Sequence, residues 1–73
     1  MYGEFSSLLL REDFKVRKGS VILVNLGSGD IELKVNKVYF DRGNLWVECF
    51  NKYKVGSTHS AHNLASYGRL KRF

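Results

Sequence analysis

The 73-residue sequence contains no proline and only one cysteine. Because proline removes a backbone N–H donor from a β-ladder, its absence is typical of a chain made of ladder-forming strands. A single cysteine, Cys49, excludes an internal disulfide and is typical of a protein of the reducing cytoplasm. Its place in an alternating stretch predicts a packed thiol and not a nucleophile.

Long apolar runs are also missing. The longest uninterrupted ones are Leu8–Leu10 and Val21–Val24, far below the roughly 20 residues that span a bilayer. The N-terminus has no charged region followed by an apolar run, so the sequence predicts no signal peptide. We therefore expect a cytoplasmic protein without membrane contacts, folded as one monomeric domain over residues 1–73.

Acidic residues are absent from the last third of the chain. Residues 1–48 carry seven basic and seven acidic side chains, whereas residues 49–73 carry five basic and no acidic ones. The whole net charge of +5 therefore lies in the last third. Such a block favours an anionic partner, either nucleic acid or an acidic patch on a protein, and the alternative is a merely solvated surface.

Apolar and polar residues alternate between positions 21 and 51, and two glycine-containing turns divide this stretch into three strands. In the first hairpin, Val21–Leu26 folds back on Ile31–Lys37 across the turn at residues 27–30. The pattern predicts the facing pairs Leu26–Ile31, Val24–Leu33, Ile22–Val35, Asn25–Glu32 and Leu23–Lys34.

In the second hairpin, Val38–Phe40 folds back on Leu45–Val47 across the turn at residues 41–44. The predicted pairs are Phe40–Leu45, Val38–Val47, Tyr39–Trp46 and Lys37–Glu48. The apolar positions change from odd to even near residues 36–37, which predicts a β-bulge. A bent strand shared by two hairpins allows a small sheet to curl into a barrel.

The leucine-rich segment 1–13 precedes these strands. Residues 6–13 predict one or two helical turns with Ser6 or Ser7 as the N-cap. The alternative is an irregular segment whose leucines cover an open barrel end. Phe14–Arg17 then predicts a short strand that ends in a turn at residues 18–20.

A short helix is predicted before the C-terminus, with Ser57 or Thr58 as its N-cap and Gly68 as its C′ residue. Its apolar positions are Ala61, Leu64 and Ala65, with i, i+3, i+4 spacing. Residues 69–73 form either a last edge strand with Leu70 inward or a frayed basic tail.

The run from Phe14 to Val24 has the pattern Phe-x-x-x-x-Gly-x-x-Ile-x-Val, which resembles the first strands of SH3-like barrels. With the two hairpins, this predicts an all-β fold: a small SH3-like antiparallel barrel of about five strands with a helical turn before the last. The chain lacks the acidic, tyrosine-rich loop of peptide-binding SH3 domains. Recognition of proline peptides is therefore not implied.

Tyr39 and Trp46 are predicted to lie opposite each other on the side away from the core. In one interpretation they only stabilise their hairpin as a cross-strand pair. In the other they form an exposed platform that stacks bases or fills a pocket on a protein.

Two groups of basic residues flank the predicted strands. Lys15, Arg17 and Lys18 precede the first long strand, and Arg69, Lys71 and Arg72 close the chain. If the last strand pairs beside the first, as in SH3-like barrels, the two groups merge into one surface for phosphates or an acidic protein groove.

No pattern in the sequence predicts catalysis, a metal site or a cofactor. His59-x-x-His62 and Cys49 lack a fourth ligand for a metal ion. Gly27-Ser28-Gly29 lies in a hairpin and lacks the context of a phosphate loop, and no serine lies in a nucleophile elbow.

A short, basic, single-domain chain of this kind resembles the small phage-encoded proteins that bind host RNA polymerase, such as those of Xanthomonas phages. The resemblance concerns the size, charge and general character of the whole chain. It implies a regulator that binds a polymerase subunit, inhibits initiation at host promoters and also affects termination. The alternative is an SH3-like nucleic-acid-binding domain that contacts phosphates through its basic surface. Both interpretations predict binding without catalysis.

Overall fold

The computed structural model describes residues 2–25 and 27–73, which form eight strands and one helix. The elements are β1 (Tyr2–Phe5), β2 (Ser7–Arg11), β3 (Phe14–Arg17), β4 (Val21–Asn25), β5 (Asp30–Asp41), β6 (Asn44–Phe50), β7 (Gly56–Ser60), α1 (Ala61–Tyr67) and β8 (Gly68–Arg72). The predicted all-β class is confirmed. More strands form than the five or so predicted, because residues 2–5, 7–11 and 56–60 also pair.

Antiparallel pairing organises the strands into a main sheet and a separate hairpin. The main sheet has the order β7-β6-β5-β4-β8, β1 pairs with the end of β5, and β2 pairs with β3. Over the described residues, β7 pairs only with β6 and β8 only with β4. Among the described residues, no strand pairing therefore closes the sheet into a barrel, and a closed SH3-like barrel stays a prediction.

The β5–β6 hairpin has the predicted register. Tyr39 lies opposite Trp46, Val38 lies opposite Val47, and the register shifts between Val35 and Lys37, which confirms the bulge. Arg42 and Gly43 form the turn with φ of 53° and 80°. Two successive positive φ values are typical of the tight turn that matches the twist of paired strands.

The β4–β5 hairpin differs from its predicted register by two residues. Val24 lies opposite Ile31 and Ile22 opposite Leu33, and all the predicted pairs of this hairpin shift likewise; the pair predicted for Leu26 lies outside the described residues. Asn25 and Asp30 are the last pair before the turn. The side-chain oxygen of Asn25 accepts a hydrogen bond from Gly27 N at 2.9 Å. Because side chains alternate with a period of two, this slip keeps every residue on its predicted face.

The helical turns predicted over residues 6–13 are wrong, because residues 7–11 form β2. Leu8 pairs with Val16 of β3, and Leu8 and Leu10 pack against the core. Leu9 points outward with 62% of its surface exposed. A segment of this length forms no stable helix without packing, and strand alternation brings two of its three leucines to the core.

The predicted helix near the C-terminus exists, but it begins later. Residues 56–60 pair with β6, so Ser57 and Thr58 lie in a strand. Ser60 is the N-cap, and its hydroxyl accepts a hydrogen bond from Asn63 N at 3.2 Å. Gly68 closes the helix as predicted, but as its C-cap and not as its C′ residue, and it starts β8 with an extended φ of −110°.

Residues 68–72 form an edge strand, which decides between the two predicted alternatives for the chain end. Leu70 lies opposite Ile22 and packs against the core. The predicted strand Phe14–Arg17 and the turn at residues 18–20 are also confirmed. In that turn the buried hydroxyl of Ser20 accepts a hydrogen bond from Arg17 N at 2.9 Å.

The core lies between the main sheet, the β2–β3 hairpin and α1. Leu64 of α1 is completely buried in it, so the helix covers one end of the sheet. The core residues are Phe14, Val16, Ile22, Val24, Leu33, Val35, Val38, Val47, Cys49 and Leu64. Their burial leaves the outer face of the sheet and the loops at its ends as the surfaces that can carry function.

Candidate binding surface at the β6–β7 loop

Tyr39 and Trp46 share the outer face, as predicted, but neither ring is fully exposed. The indole N–H of Trp46 donates a hydrogen bond to the carbonyl oxygen of Asp41 at 3.0 Å. The ammonium group of Lys37 lies 5.0 Å from the centre of the Tyr39 ring. These contacts tie both rings to their own hairpin, and a binding role for them stays a prediction.

Two of the three basic residues of β8 form ion pairs within the molecule. Arg69 donates two hydrogen bonds to the carboxylate of Asp30, and Lys71 donates one to Glu32. The hydrogen bond from Arg69 holds the pKa of Asp30 below its usual value, and the one from Lys71 does the same for Glu32. These two cations are therefore already neutralised by neighbouring carboxylates.

The two predicted basic groups lie on different strands, since β8 pairs with β4 and not with β3, and Phe73 at the end of the chain contacts the first group. The guanidinium carbon of Arg17 lies 4.2 Å from the centre of the Phe73 ring, and Lys15 Nζ lies 5.8 Å from it. Lys18 lies in the β3–β4 turn, and Arg72 lies opposite Val21 at the edge of the sheet.

A different surface is formed by the loop of residues 51–55, which joins β6 to β7. The side-chain oxygen of Asn51 accepts hydrogen bonds from Tyr53 N at 2.8 Å and Val55 N at 3.0 Å. The backbone of Asn51 exchanges two further hydrogen bonds with Val55 and Lys54. Hydrogen bonds from a single side chain and its backbone therefore connect the two ends of the loop.

This loop and its neighbours expose four large apolar side chains, which we call the loop patch. Tyr53 is 74% exposed, Val55 60%, Ile31 42% and Phe50 37%. Ile31 shares one pocket wall with Tyr53 and another with Val55, whereas Phe50 lies on the outer face of the sheet, opposite Lys34. Exposed apolar side chains grouped around one loop of a small soluble domain mark a contact surface more often than isolated ones do. Because the loop is preorganised, little conformational entropy is lost when a partner binds it.

Three lysines surround the loop patch, and we call them the patch lysines: Lys34, Lys52 and Lys54. Lys34 lies directly opposite Phe50, and the ammonium group of Lys52 lies 5.2 Å from the centre of the Tyr53 ring. In the part of the chain that the structure describes, none of the three forms an ion pair with a carboxylate. Their charges are therefore available to an anionic partner.

The sequence analysis did not identify the loop patch. The signal was present in the run Phe50-Asn51-Lys52-Tyr53-Lys54-Val55, where lysines alternate with aromatic and apolar residues. The same alternation of lysines with apolar residues occurs in a solvated strand and in an ordered loop, so the sequence does not distinguish these two structures. The hydrogen bonds of Asn51 show that residues 51–55 form a loop.

His59 takes part in a partly buried chain of hydrogen bonds. Its Nδ1 lies 2.6 Å from the Tyr67 hydroxyl, and its Nε2 lies 3.0 Å from the Ser57 hydroxyl. Burial lowers the pKa of His59 and raises that of the buried Cys49 thiol to about 12. No group of three or more potential ligands that could hold a metal ion is found within residues 2–25 and 27–73.

No family model, curated protein or solved structure matches this chain. Among the described residues, no helix is long and apolar enough to cross a membrane. The exposed apolar side chains of the loop patch and the charges of the patch lysines make this surface the strongest functional candidate.

Proposed function

We propose that this protein is a non-enzymatic binding module that docks on another protein through the loop patch and the patch lysines. The supporting observation is a hydrogen-bonded loop with four exposed large apolar side chains around it. Beside it lie three lysines that have no carboxylate partner among the described residues. Ile31 and Val55 are aliphatic and offer no ring for base stacking, so they favour a protein partner. The lysines favour an acidic surface on that partner and accelerate association with it.

The partner that we propose is a subunit of host RNA polymerase. This step extends the resemblance to small phage-encoded regulators in size and charge. In this proposal, occupation of an acidic surface on the polymerase inhibits initiation at host promoters and also affects termination. The protein acts by binding alone.

A nucleic-acid-binding function is the second candidate. It is favoured by the position of Phe50 opposite Lys34 and of Tyr53 next to Lys52, since single strands are bound by aromatic side chains and cations together. The ion pairs of Arg69 and Lys71 weaken this candidate, because they occupy two of the cations predicted to contact phosphates.

The direct test measures binding of the immobilised protein to purified bacterial RNA polymerase, with Xanthomonas polymerase among those tried. Promoter-dependent initiation is measured in parallel. Lys54→Glu should slow association several-fold at low salt, because it reverses a charge beside the loop patch. Failure of every polymerase to bind the wild-type protein would reject the proposed partner.

Arg42→Glu is the matched control for that variant. Arg42 and Lys54 are both exposed cations with positive φ, of 53° and 63°, but they lie near opposite ends of β6. Arg42→Glu should therefore leave the association rate unchanged. Equal slowing by both variants would show that net charge matters and the location of the lysine does not.

The footprint predicted from the sequence competes with the loop patch. It consists of Tyr39, Trp46, Lys15, Arg17, Lys18, Arg69, Lys71 and Arg72. The double variant Lys71→Glu/Arg72→Glu tests it in the same association assay. A larger loss than that of Lys54→Glu would favour the sequence-predicted footprint.

Fluorescence anisotropy with labelled single-stranded DNA, RNA and duplex DNA tests the second candidate. Binding tighter than the non-specific range at moderate salt would move nucleic acid to first place. Weak binding that disappears as salt rises is expected from net charge alone.

A further inference from the structure

A pocket of about 190 Å³ opens beside the loop patch, between the β4–β5 hairpin and β7. Its deeper wall contains the core residues Val24 and Leu33, and Ile31 and Val55 are exposed at its rim. Two members of the loop patch therefore border an opening that leads to the hydrophobic core.

The polar wall of the pocket offers few unsatisfied groups. Ser57 and His59 line it, and each ring nitrogen of His59 already contacts a hydroxyl, that of Ser57 or that of Tyr67. No buried side-chain nitrogen or oxygen in the described part of the chain lacks a hydrogen-bond partner. The pocket therefore suits an apolar occupant better than a polar one.

The size of the pocket limits that occupant to one side chain. An apolar cavity of about 150 Å³ in another protein accepts benzene, so a phenyl ring or a leucine side chain fits here. Asn51 and Val55 line the same wall and belong to the loop that carries Lys52 and Lys54. Because both lysines lie between these two pocket residues in the chain, carboxylates beside the inserted side chain would meet their positive charge. Asp30 and Glu32 line the neighbouring pocket with Ile31 and Tyr53, but each of these carboxylates already forms an ion pair with a cation of β8.

We propose that this pocket receives one bulky apolar side chain from an acidic segment of the protein partner. The inference rests on the proposed protein-binding function and specifies what the partner presents. The segment is extended, because Gly56 and Ser57 belong both to the pocket wall and to β7, whose only strand partner among the described residues is β6. A peptide strand added at that edge alternates its side chains toward and away from the pocket.

Two short, labelled peptides rich in Asp and Glu test the proposal, one with a central phenylalanine and one with alanine at that position. Anisotropy titrations should give an affinity about tenfold or more higher for the phenylalanine peptide, because only that ring is buried in the pocket. Equal affinities for the two peptides would overturn the proposal.

Val55→Asp places a charge at the rim and should bring the affinity ratio of the two peptides close to one. Leu9→Asp is the matched control, because Leu9 is 62% exposed, close to the 60% of Val55, and lies on β2. The ratio should stay unchanged in Leu9→Asp. The proposal would be overturned if Val55→Asp still bound the phenylalanine peptide more tightly than the alanine peptide by the wild-type ratio. Electrostatic repulsion by the new carboxylate weakens the binding of both peptides and therefore does not change this ratio.

Chemical-shift mapping gives a second readout that needs no variant. The phenylalanine peptide should shift the resonances of Val24, Leu33 and His59, and the alanine peptide should not. Shifts confined to other surfaces would overturn the pocket assignment.

The polymerase measurement distinguishes failure of this proposal from failure of the proposed function. If polymerase binds the wild type and Val55→Asp equally, polymerase remains the partner, but the pocket proposal is wrong and Val55 is not part of the docking surface. If the peptides are discriminated but polymerase does not bind, the pocket proposal stands and the partner is wrong.

Discussion

The guanidinium group of Arg69 on β8 reaches across β4 to the carboxylate of Asp30 on β5 and donates two hydrogen bonds to it, one of 3.2 Å. Lys71 and Glu32 repeat this arrangement. The two pairs connect the edge strand to the β4–β5 hairpin. They also use two of the cations that the sequence assigned to partner binding.

Arg69→Ala should raise the pKa of Asp30 toward 3.8, because the hydrogen bond from Arg69 is the main cause of its lowering. A carboxyl whose folded pKa is lowered adds stability above its ordinary pKa and loses it as pH falls through the folded value. The wild type should therefore lose more stability than the variant below about pH 4. Carboxyl NMR titration gives the pKa directly, and an unchanged value would contradict the ion pair. Lys71→Ala is the control, since it should move Glu32 and leave Asp30 alone.

Gly68→Ala should destabilise the fold by roughly 1–3 kcal/mol through overpacking. A Cβ added at Gly68 would lie 2.8 Å from the carbonyl oxygen of Leu64 and 3.1 Å from Cδ1 of the Leu64 side chain. The φ of −110° is accessible to alanine, so the effect isolates the clash. Gly3→Ala is the control, because its Cβ would meet no atom within 4 Å. Urea denaturation measures both, and equal stability would contradict the close packing of β8 on α1.

The free energy of unfolding should decrease as pH falls below about 6.5, the ordinary pKa of histidine. Burial lowers the pKa of His59 in the folded protein, so the unfolded chain takes up the proton first. Stability is therefore complete above the unfolded pKa and declines until pH reaches the folded value. His59→Gln should remove this slope below about pH 6.5, and the exposed His62→Gln should keep it. Identical slopes in the wild type and His59→Gln would refute the assignment.

Cys49 should resist thiol reagents in the folded protein near pH 8, because burial raises its pKa to about 12 and only the thiolate reacts. Labelling in concentrated urea should be complete. The native labelling rate should follow the unfolding equilibrium as urea increases, since the side chain is fully buried. Rapid labelling without urea would show that β6 opens locally.

The β5–β6 hairpin was predictable because its information is local. The turn at Arg42-Gly43 and the alternation on either side of it set the register, and the phase change at residues 36–37 reveals the bulge. In the β4–β5 hairpin the same alternation is compatible with two registers that differ by two residues. The hydrogen bonds of Asn25 with Gly27 and Asp30 favour the observed register.

The N-terminal leucines and the position of the helix could not be predicted in this way. Ser57, Thr58 and Ser60 are all acceptable N-caps, and the pairing of β7 with β6 leaves only Ser60 in that position. Ser7–Arg11 becomes a strand because β3 offers an edge and the core offers space for Leu8 and Leu10. These choices depend on residues distant in the chain.

The sequence by itself determined the all-β class, the inward and outward faces of the central strands and the excess of positive charge, because periodicity and composition are properties of neighbouring residues. Only the tertiary structure decided which outward groups stay available. Arg69 and Lys71 meet carboxylates 39 residues away, whereas Lys52 and Lys54 meet none among the described residues. Exposure depends on what the rest of the chain places over each side chain, and no local pattern carries that information.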